Sequence, residues 1–125
     1  MPEDLWPTTI DDGNLVTPVS ILKEQAALLG EKTRQLVTGE VVTQTTGSLF
    51  VHHFYIVAPG LNYRYELFSV QHHINFFPLV IQYLNHTTSV NQNDNFHTFK
   101  QHLKEIFSSP TTLNIIQSIL AQLRA

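Results

Sequence analysis

The segment "LFVHHFYIVAPGLNYRYELFSVQHH", residues 49–73, decides the fold. It is β-branched and aromatic on both sides of the turn residues Pro59-Gly60-Leu61-Asn62, which is the signature of two strands joined by a short connection. Inside it, His52 and His53 interrupt an otherwise apolar and aromatic run from Leu49 to Val57. The chain carries seven histidines, and imidazole is the commonest protein ligand for transition metals, so the adjacent pair invites a metal reading. Successive strand side chains point to opposite faces, however, so His52 and His53 cannot hold one ion together.

Outward from this hairpin, the β pattern extends from Leu36 to Leu84, with punctuation at Thr46-Gly47-Ser48 and around Ile74-Asn75. Four strands are expected near residues 36–45, 48–58, 62–73 and 78–84, and the tight connections favour an antiparallel meander. Pro78 suits a strand start or an edge. Before the strands, Thr17 followed by Pro18 reads as a helix cap, and Val19, Leu22, Ala26 and Leu29 share one helical face up to about Lys32. After them, "NHTTSVNQND" (residues 85–94) reads as a polar loop, with Asp94 or Asn95 as cap for a helix striped by Phe96, Phe99, Leu103, Ile106 and Phe107. Ser109 and Pro110 repeat the cap signal for a third helix, striped by Leu113, Ile116, Leu120 and Leu123. The fold class is therefore α+β: an N-terminal helix, a four-stranded antiparallel meander sheet and two C-terminal helices packed on the sheet.

Length, composition and charge narrow the function. The 125 residues are 42% hydrophobic, enough for one domain with a sizeable core. Residues 1–16 contain Glu3, Asp4, Asp11 and Asp12 without any period and read as a loosely ordered acidic arm, with Trp6 either pinning it to the body or meeting a partner. Residues 17–125 read as a single α+β domain. The net charge is −3, and no run of Lys or Arg exists to track phosphates, which disfavours nucleic acid and anionic membranes. Without cysteine there is no disulfide, zinc–thiolate site or thiol nucleophile. The first residues lack the basic start and apolar stretch of a signal peptide, and no segment approaches the roughly 18 apolar residues of a spanning helix, so a cytoplasmic, soluble chain is expected.

The turns suggest a register that pairs Glu40 with His53, His52 with Phe68 and Val70 with Ile81. One face then carries Val37, Val41, Phe50, His52, Phe54, Ile56, Phe68, Val70, Leu79, Ile81 and Tyr83, with Arg64, Glu66 and His72 nearer its edges; this is the better core face. His52 on it would be neutral and hydrogen-bonded. On the opposite face fall Glu40, His53, Tyr55, Tyr63, Tyr65 and Ser69 among aliphatic residues, a mixture enriched where proteins meet partners. A helix or the arm covering this second face within the monomer is the competing reading. His72 should stand about four residues along the ladder from His52, roughly 13 Å away and too far to share a metal. His97 and His102 point about 140° apart on their helix, so they do not form the i, i+4 pair of metal helices.

Three functions are consistent with these residues. The first is a non-catalytic interaction domain that uses Glu40, His53, Tyr55, Tyr63, Tyr65 and Ser69 to bind a second copy or a partner protein. The second is capture of haem or a transition metal through His53, His72 or His73, with Phe76, Phe77, Tyr55, Tyr63 and Tyr65 as walls. The third is a small enzyme with Glu40 orienting His53 as a base. No phosphate loop, nucleophile elbow or H-E-x-x-H motif occurs.

Overall fold

A computed structural model describes residues 2–91 and 96–125. Helix α1 spans Pro18–Lys32 and opens where cap chemistry places it. The Ser20 amide donates to Thr17 Oγ1 at 3.1 Å and the Thr17 amide donates to Ser20 Oγ at 3.2 Å, a reciprocal cap that satisfies two orphan donors. The strands are β1 (Thr38–Thr46), β2 (Leu49–Ala58), β3 (Tyr63–His72), β4 (Leu79–Tyr83) and β5 (His86–Val90). They form one antiparallel sheet in chain order. Helices α2 (His97–Phe107) and α3 (Pro110–Arg124) complete the chain. The cap expected at Asp94 or Asn95 lies outside the described residues.

The α+β class and the meander stand, but the sheet has five strands instead of four. The fifth, HTTSV, lies inside the segment read as a polar loop. Its Thr87, Thr88 and Val90 are β-branched and suit a strand, but an edge strand with one face in water needs little apolar content, so composition conceals it. Each strand connection uses left-handed backbone: Gly47 (φ 60°) turns β1 into β2, Asn62 (φ 51°) ends the 3₁₀ turn that leads into β3, Phe76 (φ 67°) lies between β3 and β4, and Leu84 (φ 55°) between β4 and β5. Glycine and asparagine are the residues that tolerate this region best.

All three helices cover the same face of the sheet. Phe54, Ile56, Phe68, Val70, Leu79 and Ile81 point into the core and are at most 2% exposed. They meet Ile21 and Leu22 of α1 and Phe99 and Leu103 of α2. Helix α1 lies so close to β1 that a Cβ on Gly39 would fall 2.6 Å from both Ala26 Cα and Cβ; only glycine allows this approach. At the far side, Tyr83 Oη meets Ser109 Oγ at 2.7 Å, and buried Thr112 donates to the Ile106 carbonyl at 2.7 Å. These contacts fix the corner between α2 and α3. Trp6 is 74% exposed and does not pin the N-terminal arm to the body.

Candidate functional site

The uncovered face of the sheet is built by every second residue of the strands, and one irregularity decides its chemistry. On β2, Leu49, Val51, His53, Tyr55 and Val57 point away from the helices and are all half-buried. From Phe50 to Phe54 the pairing with β3 is regular, with Phe54 opposite Phe68; the next pair is Tyr55 with Glu66, so Leu67 is an extra residue. This β-bulge sends both Leu67 and Phe68 to the core, at 4% and 2% exposure. Below it the alternation of β3 is inverted. Tyr65 and Tyr63 come to lie opposite Ile56 and Ala58 on the helix side, while Arg64 and Glu66 turn to the open side. The expected placement of Tyr63 and Tyr65 on the partner face is therefore corrected, because a one-residue insertion moves every later side chain to the other face.

Of the expected surface, Glu40, His53, Tyr55 and Ser69 do share the open face, in a different pairing. Glu40 faces Tyr55, two residues from its expected partner, and His53 lies between Val42 and Ser69. The Arg64 guanidinium stacks over Tyr55, 3.5 Å from the ring centroid, and its Nε donates to Glu40 Oε1 at 3.0 Å. This contact with Glu40 raises the Arg64 pKa above its ordinary value. His53 finds other company: its Nε2 donates to Gln44 Oε1 at 3.2 Å, and its Nδ1 stands 3.2 Å from Glu66 Oε1 without the alignment of a hydrogen bond. The Glu40–His53 dyad weighed as a catalytic base is thus not assembled; each member is engaged by a different residue.

His52 and His72 stand with Nε2 atoms 2.8 Å apart, not the expected 13 Å, because His52 pairs with Val70 and His72 is its diagonal neighbour across the strands. Both are buried, at 3% and 6% exposure. The proton positions follow from the partners. The His73 carbonyl, 2.6 Å from His72 Nδ1, can only accept, so Nδ1 of His72 carries a hydrogen. In the neutral ring Nε2 of His72 is then an acceptor, and His52 Nε2–H donates to it. His52 Nδ1 in turn accepts from Thr43 Oγ1 at 2.8 Å. The chain Thr43 → His52 → His72 → His73 carbonyl is satisfied throughout with both imidazoles neutral. Burial, followed by the neighbouring His72, His53 and Lys23, lowers the His52 pKa to about 4. Phe50 stacks on the His72 ring at 5.6 Å between centroids and Phe76 meets its edge at 5.8 Å.

The histidines weighed as metal or haem ligands are dispersed by this arrangement. His72 faces the core, His53 faces the open side, and exposed His73 donates from Nδ1 to the Ser48 carbonyl at 3.3 Å. Among the described residues no three His, Cys, Asp or Glu side chains gather as a metal site. Phe76 and Phe77 pack on Phe96 instead of walling a pocket with the tyrosines. Tyr55 lies across the sheet from Tyr63 and Tyr65.

A cavity of about 510 Å³ between the three helices and the sheet has no counterpart in the sequence-based expectations. Phe54, Ile56 and Leu67 form its floor, and Lys32, Lys100 and Lys104 stand around it. It arises from the spacing of the helices, for which the apolar stripes carry no signal. No helix among the described residues is long and apolar enough to cross a membrane. Comparison of the chain with models of protein families, with curated proteins and with solved structures finds no match.

Proposed function

We propose that the protein is a non-catalytic interaction domain that pairs with a second copy of itself through the open face of the sheet. The observation that carries this reading is the outward row of β2, where Leu49, Val51, Tyr55 and Val57 form an apolar stripe, interrupted by His53, that none of the described helices covers. Val42 adds to it on β1, and Val80 lies on the same face on β4, beyond Gln71. An apolar row flanked by polar and charged residues is a mixture found where proteins meet partners. Glu40, Arg64 and Glu66 flank the row at one end of the face, and Gln44 and Gln71 flank Val51 nearer the other.

A second copy suits this face on two counts. Both charge signs are present, so a two-fold axis can set Arg64 of one protomer against the carboxylates of its partner. The size also agrees: five strands about 4.8 Å apart with a rise of about 3.3 Å per residue give roughly 600 Å² per copy. Two such faces reach about 1,200 Å², the lower bound of specific interfaces. Sheets packed in this way lie about 10 Å apart with interdigitated side chains.

Light scattering coupled to size exclusion tests the proposal. The wild-type chain is expected at the dimer mass across the micromolar range, and Val51→Glu with Tyr55→Glu at the monomer mass with an unchanged circular dichroism spectrum. A wild-type chain that elutes only as monomer would overturn it, as would a variant that remains dimeric.

A further inference from the structure

We propose that the cavity beneath the helices binds a single-chain amphipathic carboxylate, its alkyl tail in the apolar interior and its head group at the lysine rim. This site lies on the side of the sheet opposite the proposed dimer face and does not depend on it.

Three features of the cavity support this assignment. Its volume, about 510 Å³, falls in the range of about 300 to 1,000 Å³ typical of small-molecule sites. Its interior is hydrocarbon: the floor of Phe54, Ile56 and Leu67 faces walls that include Leu103, Phe107 and Ile116. Leu28 of α1 and Leu113 of α3, each 42% exposed, continue the apolar surface outward, so a tail can enter without crossing a polar barrier.

Among the described residues the charge around it is of one sign. Lys32, Lys100 and Lys104 all line the cavity while remaining exposed, no acidic residue among those described lines it, and the chain as a whole carries −3. Among the described residues none of these lysines is paired with a carboxylate. Lys100 and Lys104 stand one turn apart on α2, a like-charge spacing that disfavours a helix unless an anion lies between them. Half-buried Gln25 adds a neutral donor. An inorganic anion would leave the hydrocarbon interior unused, and a cationic amphiphile would meet the lysines. An alkyl carboxylate satisfies both parts.

Calorimetric titration of the full chain with octanoate, decanoate and dodecanoate, each below its micelle concentration, tests this. Each added methylene should strengthen binding about fourfold until the cavity is full. Dodecanol and dodecyltrimethylammonium should bind about tenfold more weakly than dodecanoate, because they forgo the lysine contacts. Lys100→Glu with Lys104→Glu, both on the surface, should reverse the order of dodecanoate and the ammonium compound. Ile116→Trp should abolish binding of all three. Absence of dodecanoate binding overturns the proposal. So does equal affinity for the three head groups, or an order unaffected by the charge reversal.

Discussion

Acidification should weaken the fold through His52. Folding holds the pKa of this imidazole near 4 against an ordinary value of 6.5. Below pH 6.5 the unfolded chain therefore takes up a proton that the folded chain refuses, so stability is complete above that pH and declines as the pH falls toward 4. With these two values the linkage amounts to about 2 kcal/mol at pH 5 and about 3 kcal/mol below pH 4. Both figures are upper bounds, since Thr43 at one end of the pair is exposed and water relieves part of the cost. The assay is urea unfolding of wild type and His52→Leu at pH 7, 6 and 5. The variant is less stable at pH 7, because it leaves His72 Nε2 without a donor. The gap between the two proteins should narrow by up to about 2 kcal/mol between pH 7 and 5, because only the wild type loses the His52 contribution. A gap that stays constant refutes the assignment. If His52→Leu does not fold, nuclear magnetic resonance of the wild-type imidazoles decides: the His52 ring must remain neutral at pH 5, and a protonated ring there refutes the reasoning equally.

Two further predictions concern packing. Gly39→Ala should cost several times a surface substitution, about 2 to 4 kcal/mol, because the new methyl would meet the backbone of α1 at Ala26 and the Phe54 ring together; thermal unfolding measures it, and a loss under about 0.5 kcal/mol would show that α1 can be displaced freely. Leu67→Ala should cost about 2 to 4 kcal/mol by emptying a buried position at the bulge; urea unfolding measures it, and a loss under about 0.5 kcal/mol would mean that Leu67 does not face the helices.

Sequence legibility followed the range of the interactions. The start of α1 was readable because Thr17 and Pro18 act within one turn. The pairing of β3 with β4 was also readable, and Val70 does face Ile81. The ladder of β2 with β1 slips by two residues from expectation, which preserves which side chains share a face but changes who meets whom. That slip gave Glu40 to Tyr55. On β3 a similar slip brought His72 to His52, and the bulge at Leu67 then inverted Tyr63 and Tyr65. Nothing in "YELFS" (residues 65–69) marks the bulge, since it uses neither glycine nor asparagine and depends on both Leu67 and Phe68 finding room in the core. The cavity was illegible for the same reason: its walls come from four separate parts of the chain, and their separation is a property of tertiary packing.

The close seating of Ala26 on Gly39 should set α1 apart from the other helices in mobility. Where two backbones approach with nothing larger than a methyl between them, no rotamer change can open a gap, so α1 and β1 should move as one body. On the other side of the cavity α2 and α3 meet each other along a short seam, joined at Ser108 and Ser109 and tethered to the sheet through Tyr83. Breathing of the helical layer is thereby assigned to the C-terminal pair, which would swing about the Tyr83 tether while the N-terminal helix stays fixed. Amide exchange should fall into two classes along that boundary, slow in α1 and β1 and faster in α2 and α3. Any molecule that enters the cavity would then be admitted by the end of the chain that carries Lys100 and Lys104.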